Sequence, residues 1–283
     1  MSHKKPKTRT TYRRIPKTKG PTQADKADRH ILYERAVQCV ESEIDMVDET
    51  YETLRGRKAI TLREDFCGTA NTSCEWVRRR KNNQAWGVDL DTEVLAWGKN
   101  NKVNTLNGDG ADRIVLMNEN VLTVKTPPVD MILAMNFSYW IFRTRDQMRE
   151  YFSRVYASLA SDGLFFLDAY GGPEAYEEQR EKTKYDGFTY IWDQAEFEPV
   201  TGRAVCHIHF KFPDGSRIKK AFSYEWRIWT LPELREILEE AGFKKVRVYW
   251  EDEDDDGEGT GEFSEDDTGE ADLAWISYLV AEK

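Results

Sequence analysis

Hydrophobic and polar positions follow two different periods along the chain. Apolar residues recur every three to four positions over residues 28–54 and in four later segments, which predicts amphipathic helices. Short apolar runs between these segments predict strands. The predicted helices are 28–54, 71–80, 92–103, 145–159 and 231–241. The predicted strands are 59–64, 84–89, 113–117, 129–135, 163–168, 245–250 and 273–282.

Strands and helices alternate over residues 59–168, which is typical of a parallel sheet with helical connections. The pattern then changes, and residues 173–230 predict an inserted lobe with one helix and three antiparallel strands. We therefore expect an α/β fold that carries a small antiparallel β lobe. Because ligands bind beyond the carboxyl ends of parallel strands, and the lobe leaves from such an end, we expect the lobe to lie near the binding site.

A hairpin in the lobe has a clear turn signal. Phe212-Pro-Asp-Gly215 predicts a type I turn followed by a left-handed glycine. His207 and His209 then fall on the charged face, where we expect them to be exposed; a general base or a metal-binding pair is the alternative. An H-x-H pair alone is a weak metal signal, and no metal site is predicted. The register implied by the turn pairs Phe210 with Ile218, Cys206 with Phe222 and Arg203 with Glu225.

Composition places the chain among compact proteins. Its 283 residues are 40% hydrophobic, enough for one large core with an insertion. The four cysteines form no C-x-x-C pair, and the N-terminus does not resemble a signal peptide, so we expect free thiols and a cytoplasmic location. Apolar runs such as 129–134 are far shorter than the roughly 20 residues that span a bilayer, so no membrane association is expected.

Charge is distributed unevenly along the chain. Residues 1–19 hold eight of the 41 Lys and Arg residues and none of the 51 Asp and Glu residues. Residues 1–22 therefore predict a disordered basic tail, either a solvated extension or an arm for RNA, whereas the acidic body disfavours nucleic acid. A second charged block, residues 251–270, predicts a solvated acidic loop; a cation site is the alternative.

The segment most informative about chemistry is Thr61-Leu-Arg-Glu-Asp-Phe-Cys-Gly-Thr-Ala70, followed by Trp86-Gly-Val-Asp-Leu90. Together they predict a strand, a tight turn, a helix and a second strand that ends in Asp89. The turn brings backbone N–H groups close to a ligand, and a carboxylate at Asp89 can accept hydrogen bonds from ribose hydroxyls. Glu64 and Asp65 would repel a dinucleotide pyrophosphate but suit the cationic groups of S-adenosylmethionine, so a dehydrogenase is the weaker interpretation.

These residues resemble the class I S-adenosylmethionine-dependent methyltransferases, and the resemblance extends from about residue 28 to the C-terminus. It implies a methyltransferase domain over 23–283, built on a Rossmann-like, seven-stranded, mostly parallel sheet with helices on both faces. Two segments resemble one branch of this class but do not indicate its substrate: Leu62-Arg-Glu-Asp-Phe-Cys-Gly-Thr69 and Tyr33-Glu-Arg-Ala-Val-Gln38.

The resemblance also implies a cofactor site. Glu64 corresponds to the acid at the end of the first strand, Asp89 to the ribose-binding acid, and Asn120 to an aspartate that recognises the adenine amino group. Phe66 and Ala70 stand where the family has glycine. The residues expected to contact S-adenosylmethionine are Tyr33, Gln38, Glu64, Cys67, Gly68, Thr69, Asp89, Leu90, Asn120, Val121 and Met135.

Candidate acceptor-binding residues follow the fourth and fifth predicted strands. Tyr139 and Asp168 are the candidates for catalysis, as a base for a hydroxyl acceptor or, for Asp168, as a group that orients an amine. Simple packing against the lobe, or a turn role for Asp168, is the alternative. Aromatic residues of the lobe could roof the site or form ordinary core. The residues expected to contact the acceptor are Asn136, Trp140, Tyr170, Trp192, Tyr224 and Trp226.

Three functions remain open on the sequence. A methyltransferase with a small-molecule N or O acceptor leads, because an inserted lobe rich in aromatic residues can enclose a compact ligand. An RNA or protein methyltransferase is the second. The third is a pseudoenzyme that binds the cofactor without transfer, which only the departures at Phe66 and Ala70 favour.

Overall fold

The computed structural model of the chain describes residues 20–254, residue 257 and residues 259–283. The predicted disordered tail at 1–22 thus falls almost wholly outside the described residues. The α-helices are α1 (Gln23–Lys26), α2 (Arg29–Val37), α3 (Val40–Arg55), α4 (Asn71–Arg79), α5 (Thr92–Asn101), α6 (Arg145–Ser158) and α7 (Leu231–Glu240). The strands are β1 (Thr61–Asp65), β2 (Gln84–Asp89), β3 (Ile114–Asn118), β4 (Val129–Ala134), β5 (Leu159–Gly171), β6 (Gln179–Tyr185), β7 (Phe188–Glu198), β8 (Arg203–Lys211), β9 (Arg217–Arg227), β10 (Lys245–Glu253), β11 (Gly259–Glu265) and β12 (Trp275–Glu282).

The main sheet of the described chain has eight strands in the order β11-β10-β12-β5-β4-β1-β2-β3. Strands β1 to β5 pair in parallel, and β12 pairs antiparallel with both β5 and β10. This confirms the α/β, Rossmann-like fold, with one strand more than predicted. Because the chain winds outward in both directions from the neighbours β1 and β4, a crevice opens at the carboxyl ends of these two strands.

The additional strand lies in the segment predicted to be an acidic loop at 251–270. Strand β10 continues to Glu253, and β11 pairs antiparallel with it, placing Glu251 opposite Phe263. The ring of Phe263 packs edge-on against Tyr278 of β12, at 5.1 Å between centroids. The loop prediction is wrong for these residues because one aromatic anchor and a ladder of backbone hydrogen bonds hold a chain that its charge alone would leave solvated. Acidic side chains along this edge also discourage pairing with another sheet.

The lobe is a separate antiparallel sheet of four strands in the order β6-β7-β8-β9 within the described residues, where three strands and a helix were predicted. A short 3-10 helix at Pro173–Tyr176 replaces the predicted helix. The turn prediction at Phe212-Pro-Asp-Gly215 is confirmed: Gly215 is left-handed at φ 85°, and its N–H donates to the Phe212 carbonyl.

The predicted hairpin register holds only next to the turn. Phe210 pairs with Ile218 as expected, but a bulge follows, and Lys220 within it is left-handed at φ 49°. The register moves by two residues beyond the bulge, so that Cys206 pairs with Tyr224, and Arg203 with Arg227. Because the shift is even, the side chains keep their predicted faces. The Arg203 guanidinium still reaches Glu225 diagonally, at 2.9 Å.

The histidines of β8 are less exposed than predicted. His207 is buried, and its Nδ1 lies 2.9 Å from Ser223 Oγ. His209 accepts a hydrogen bond from the Lys220 N–H at Nδ1, so its Nε2 carries the proton and donates to Asp193, 3.0 Å away. The expectation of solvent exposure is therefore wrong for His207. β8 is an interior strand between β7 and β9, so side chains of both neighbours cover its histidines.

Apolar side chains fill both faces of the main sheet. On β4, Met131 and Leu133 point to the side covered by α3 and α4, whereas Ile132 and Ala134 point to the side covered by α6 and α7. The residues of β4 are all buried, as expected of a central parallel strand with helices on both faces.

Residues 28–54, predicted as one helix, form two. Helix α2 ends at Val37, and Gln38 and Cys39 break the helix before α3 begins. The break lets the two helices pack on different surfaces: α3 covers the sheet, while α2 lies between the turn after β1 and the lobe. Its contacts with the lobe include a hydrogen bond from the Tyr185 hydroxyl to the Ala36 carbonyl.

A buried ion pair anchors the end of β1. Arg63 and Asp65 are two residues apart on the strand and therefore lie on the same face, and both side chains are fully buried. Arg63 Nη2 donates to Asp65 Oδ2 at 2.9 Å, Nε lies 2.8 Å from Oδ1, and the Tyr151 hydroxyl of α6 donates to the same carboxylate. Burial raises the pKa of Asp65 even though Arg63 opposes the rise. The pair is consequently costly to break rather than a large net source of stability.

We expect Asp65→Asn to lower the free energy of unfolding by about 3 to 5 kcal/mol, because it leaves the fully buried Arg63 without a counter-charge. Urea denaturation at neutral pH measures this. Arg154→Ala is the control: Arg154 and Glu150 form an exposed pair on α6, and we expect a change within about 0.5 kcal/mol. Equal effects of the two substitutions would contradict the assignment.

Candidate active site

The turn after β1 keeps a glycine-like backbone although it holds a single glycine. Phe66, Gly68 and Ala70 are all left-handed, with φ of 59°, 52° and 58°. The Phe66 ring packs against Phe142 and Tyr151, which holds the strained residue in place. The departures from glycine at Phe66 and Ala70 thus change the residues of the turn but not its conformation.

Small residues allow the turn to pack closely on one side and leave it open on the other. A Cβ atom on Gly98 of α5 would lie 2.4 Å from the Thr69 carbonyl oxygen, so this helix can approach the turn only because it has glycine there. A Cβ atom on Gly68 would meet no atom within 4 Å. The backbone at Gly68 therefore faces open space into which a ligand can fit.

Asp89, at the end of β2, lies directly beside this turn. Its Oδ2 accepts from the Gly68 N–H and its Oδ1 from the Asp91 N–H, both at 2.8 Å. Burial raises the pKa of Asp89. A carboxylate has about four acceptor positions, so both oxygens can still accept hydrogen bonds from a ligand. Leu90, the next residue, is 64% exposed and offers an apolar surface beside the carboxylate.

Glu64 lies on the opposite side of the turn, beneath the start of α4. Its Oε2 accepts from both the backbone N–H and the hydroxyl of Ser73. Burial raises the pKa of Glu64 to about 7, although these hydrogen bonds lower it. Glu64 thus secures the N-terminus of α4 and adds negative potential to the crevice.

The predicted adenine-binding residues lie on the loop after β3. Asn120 is exposed, and its Oδ1 accepts from the Leu122 N–H at 2.9 Å, which leaves one acceptor position on that oxygen. Val121 is buried. Asn118, which was not predicted, ties this loop to β2 because its amide donates to the carbonyls of Asp89 and Leu90.

Helix α2 covers the turn from outside the sheet. The Thr69 hydroxyl donates to Glu34 at 2.9 Å, and Asn71 donates to Gln38 at 3.3 Å. Glu34 also forms an ion pair with Lys102. The motif around Tyr33 and Gln38 therefore reaches the turn, as the sequence interpretation requires, and Cys67 lies buried beneath it.

A cavity of about 770 Å³ lies between the lobe and the ends of β4 and β5. Its wall includes Tyr33 and Val37 of α2, Glu43 of α3, and residues of the hairpin that β10 and β11 form. Five of the predicted acceptor contacts and one catalytic candidate line it: Asn136, Asp168, Tyr170, Trp192, Tyr224 and Trp226. Met135 lies directly before this wall and is buried.

Asp168 is buried at this cavity and holds the chain that follows β4. Its two oxygens accept from the N–H groups of Asn136, at 2.6 Å, and Phe137, at 2.8 Å. Both of these residues are left-handed, with φ of 58° and 55°. Burial raises the pKa of Asp168 to about 7. The carboxyl group can thus exchange a proton near neutral pH while it fixes the shape of the cavity wall.

Two predicted residues lie behind the wall and do not line the cavity. Tyr139 is fully buried, its hydroxyl donates to the Asp168 carbonyl at 2.7 Å, and burial raises its pKa well above the ordinary value. Trp140 is also fully buried and stacks on Tyr170 at 5.6 Å. Because its hydroxyl is engaged and its ionised form is disfavoured, Tyr139 is placed as a packing residue and not as a base.

The aromatic residues of the lobe are neither purely core nor purely roof. Trp226 is only 4% exposed and packs against Phe137 and Trp140, yet it lines the cavity. Tyr224 stacks on it with ring centroids 4.5 Å apart, and Trp192 lies 6.2 Å away. The two alternatives therefore coincide, since the same rings bury one face in the core and present the other to the cavity.

Sequence reasoning missed one buried acid of the cavity, Glu43. It lies on the apolar stripe of α3, three residues after Val40 and four before Val47, both of which are buried. A carboxylate at a core position of an amphipathic helix was the available signal. The prediction overlooked it because residues 28–54 were treated as a single amphipathic helix, whereas α2 and α3 are separate helices that pack on different surfaces.

The described residues contain neither a helix long and apolar enough to cross a membrane nor a group of His, Cys, Asp and Glu side chains suited to a metal ion.

The fold is shared with several solved structures of methyltransferases. A S-adenosylmethionine-dependent methyltransferase from Clostridium acetobutylicum ATCC 824 is 15% identical, with a TM-score of 0.66 over 89% of this chain and 96% of that one. The SAM-bound amino pentose methyltransferase from Micromonospora echinaspora is 16% identical, with a TM-score of 0.63 over 89% and 95%. A sugar N-methyltransferase from Streptoalloteichus sp ATCC 53650 is 12% identical, with a TM-score of 0.60 over 96% and 99%.

No protein-family model and no curated protein sequence matches the chain. At identities of 12 to 16%, the structural similarity establishes only the fold, and the function has to be argued from the site. The chain has the fold of these S-adenosylmethionine-dependent methyltransferases over nine-tenths of its length.

Proposed function

We propose that the protein is a S-adenosylmethionine-dependent methyltransferase with a small-molecule acceptor. The observation that carries this proposal is the cavity that the lobe encloses at the ends of β4 and β5, beside the crevice at β1 and β4. A cavity of about 770 Å³ suits a compact ligand. The similar folds of an amino pentose methyltransferase and a sugar N-methyltransferase support the same substrate size.

The residues of the crevice fit the cofactor. Asp89 would bind the ribose hydroxyls, and Leu90 with Val121 would flank the adenine. The open backbone at Gly68 lets a ligand approach the turn. Buried carboxyls at Glu64 and Asp168 suit the cationic ammonium and sulfonium groups and disfavour a pyrophosphate.

When bound, S-adenosylmethionine supplies an electrophilic methyl group on a sulfonium. The residues of the chain then have to position the acceptor and exclude water, since a well-oriented displacement needs no covalent residue. The aromatic rings of the lobe enclose the acceptor, and the left-handed turn at Asn136 fixes the wall nearest the crevice. Asp168, with its pKa near 7, is the group that orients the acceptor or takes a proton from it.

The alternatives are weaker on the geometry. An RNA acceptor fits the acidic lining of the cavity poorly. Most of the basic tail that could bind RNA lies outside the described residues. The pseudoenzyme depended on Phe66 and Ala70, and both adopt the glycine-like conformation. A cytoplasmic location stays a proposal, which the free cysteines support.

Asp89→Ala is expected to weaken S-adenosylmethionine binding by about 1.5 to 3 kcal/mol, because charge-assisted hydrogen bonds to the ribose are lost. Isothermal titration calorimetry measures this, and circular dichroism checks that the turn survives the loss of the Gly68 contact. Asp89→Asn serves as the matched variant, with an intermediate loss. Unchanged affinity, or tighter binding of NAD by the wild type, would rule out this cofactor site.

Trp192→Ala tests whether the aromatic residues of the lobe cover the acceptor. It should leave cofactor affinity within a few-fold and cut methyl transfer by roughly 10²-fold, because a displacement of about 1 Å at the reacting atom costs that much. Transfer is measured by incubating the protein with methyl-labelled cofactor and a small-molecule cell extract, and then detecting the labelled product by mass spectrometry. Trp226 is less suitable, since removing so buried a tryptophan costs about 3 to 5 kcal/mol of stability.

Val200→Ala provides the control for Trp192→Ala. Val200 is 90% exposed at the tip of the β7–β8 hairpin, away from the cavity, and should not alter transfer. If Trp192→Ala lowers the melting temperature but leaves transfer per folded molecule intact, the ring is core and not roof.

A further inference from the structure

The cavity is acidic throughout. Its described lining includes six carboxylates and, among those same residues, no Lys, Arg or His. Two of the carboxylates, Glu43 and Asp168, are buried, and the others are exposed toward the rim. The rim carboxylates are Glu181, Glu251, Glu253 and Asp272. A ligand that enters therefore passes from an exposed acidic rim to a pair of buried acids.

Glu43 is buried with only part of its hydrogen-bonding capacity used, since its carboxyl group interacts with the Cys39 N–H at the start of α3. It is 9% exposed, and its Oε2 is buried without a hydrogen-bond partner among the described residues. Repulsion by Asp168 and Glu64 adds to the burial that raises the pKa of Glu43 to about 8. An unpartnered buried acceptor destabilises a protein, so a ligand that donates to it would remove a real cost.

The side chain of Asp168 points to the face of the main sheet that α3, with Glu43, covers. Asp168 shares its face with Leu164 and Phe166, which pack under α3, the helix that carries Glu43. Tyr278 is the cross-strand partner of Asp168 and also lines the cavity. Both acids therefore line the cavity, and the charge of Asp168 adds to the rise in the pKa of Glu43.

The walls above these acids are aromatic. Tyr224 and Trp226 stack face to face, and Tyr33 and Trp192 also line the cavity. Electron-rich ring faces attract cations, and a methylated ammonium is the cation that best combines charge with apolar surface. Buried acids beneath aromatic walls are the complement of such a group.

We infer that the acceptor is a small amine, held by the unpartnered Oε2 of Glu43 and by Asp168 between the aromatic walls of the cavity. This inference rests on the proposed methyltransferase function and selects an amine over a hydroxyl acceptor.

The chemistry balances with the carboxylates present. An ammonium group that enters the cavity transfers one proton to the ionised member of the Glu43–Asp168 pair, which leaves a neutral amine with a free lone pair. The nitrogen–carbon bond then forms as the sulfonium carbon–sulfur bond breaks, with its electrons staying on sulfur. The products are a methylammonium and S-adenosylhomocysteine, and the proton on the carboxyl returns to solvent.

Binding of a matched probe pair tests the inference without turnover. Choline carries a quaternary ammonium, and neohexanol is its uncharged isostere. We expect the full chain to bind choline at least about tenfold more tightly than neohexanol, because only choline gains from acids and ring faces. Titration followed by NMR, with the tryptophan signals as reporters, measures both affinities. Equal affinity for the two probes would overturn the inference.

Glu43→Gln isolates the buried acid. We expect it to remove most of the preference for choline, because the amide cannot ionise beside a cation, and to leave the melting temperature unchanged or higher, because burial opposes the charge that only the carboxyl group can carry. Glu41→Gln is the matched control, because it removes the same charge from an exposed position of α3, outside the cavity lining. Weaker S-adenosylmethionine binding by Glu43→Gln, with the choline preference intact, would assign Glu43 to the cofactor and overturn its role in binding the acceptor.

The product provides a readout that needs no variant. After incubation of extract with methyl-labelled cofactor, we expect the labelled product to be retained on a cation exchanger at neutral pH. Labelled product that flows through as a neutral ether would refute the amine while leaving the methyltransferase standing. Absence of any labelled product together with a choline preference would refute the methyltransferase but not the cation site.

Discussion

The carboxylate of Asp168 is the interaction on which the candidate site depends. Its two oxygens bind the N–H groups of Asn136 and Phe137, and they hold both residues in the left-handed conformation, which costs about 1 to 2 kcal/mol per residue without glycine. The same group borders the cavity and faces Tyr278 across the sheet. One buried acid therefore both fixes the shape of the cavity wall and supplies charge to the cavity, so its structural and chemical roles cannot be separated.

Negative charge at the ends of the parallel strands is the common theme of crevice and cavity. Glu64, Asp89 and Asp168 lie on three different strands, and burial raises the pKa of each. Such a cluster is unfavourable in an empty site and is compensated by cationic ligands, which a sulfonium cofactor and an amine acceptor both provide. Glu43 extends the cluster from a helix, and its Oε2 has no hydrogen-bond partner among the described residues.

The sequence predicted the main sheet well where strands are uniformly apolar and helices are amphipathic, as for β4 and α6. It failed where a few tertiary contacts outweigh composition. The segment 251–270 is acidic enough to predict a loop, yet the packing of Phe263 on Tyr278 secures β11. The lobe hairpin followed its turn signal up to Phe210 and then departed from it, because no local pattern announces a bulge at Lys220.

By itself, the sequence determined the alternation of strands and helices, the turn after β1 and the position of Asp89, because these follow from periodicity and from short-range spacing. Tertiary structure alone decided which side chains face the cavity. Tyr139 and Asp168 were equal candidates in the sequence, but one hydroxyl is engaged in the core while the other group borders the cavity. Glu43 became a candidate only when α3 packed on the main sheet, since burial and the proximity of other charges are properties of the folded chain.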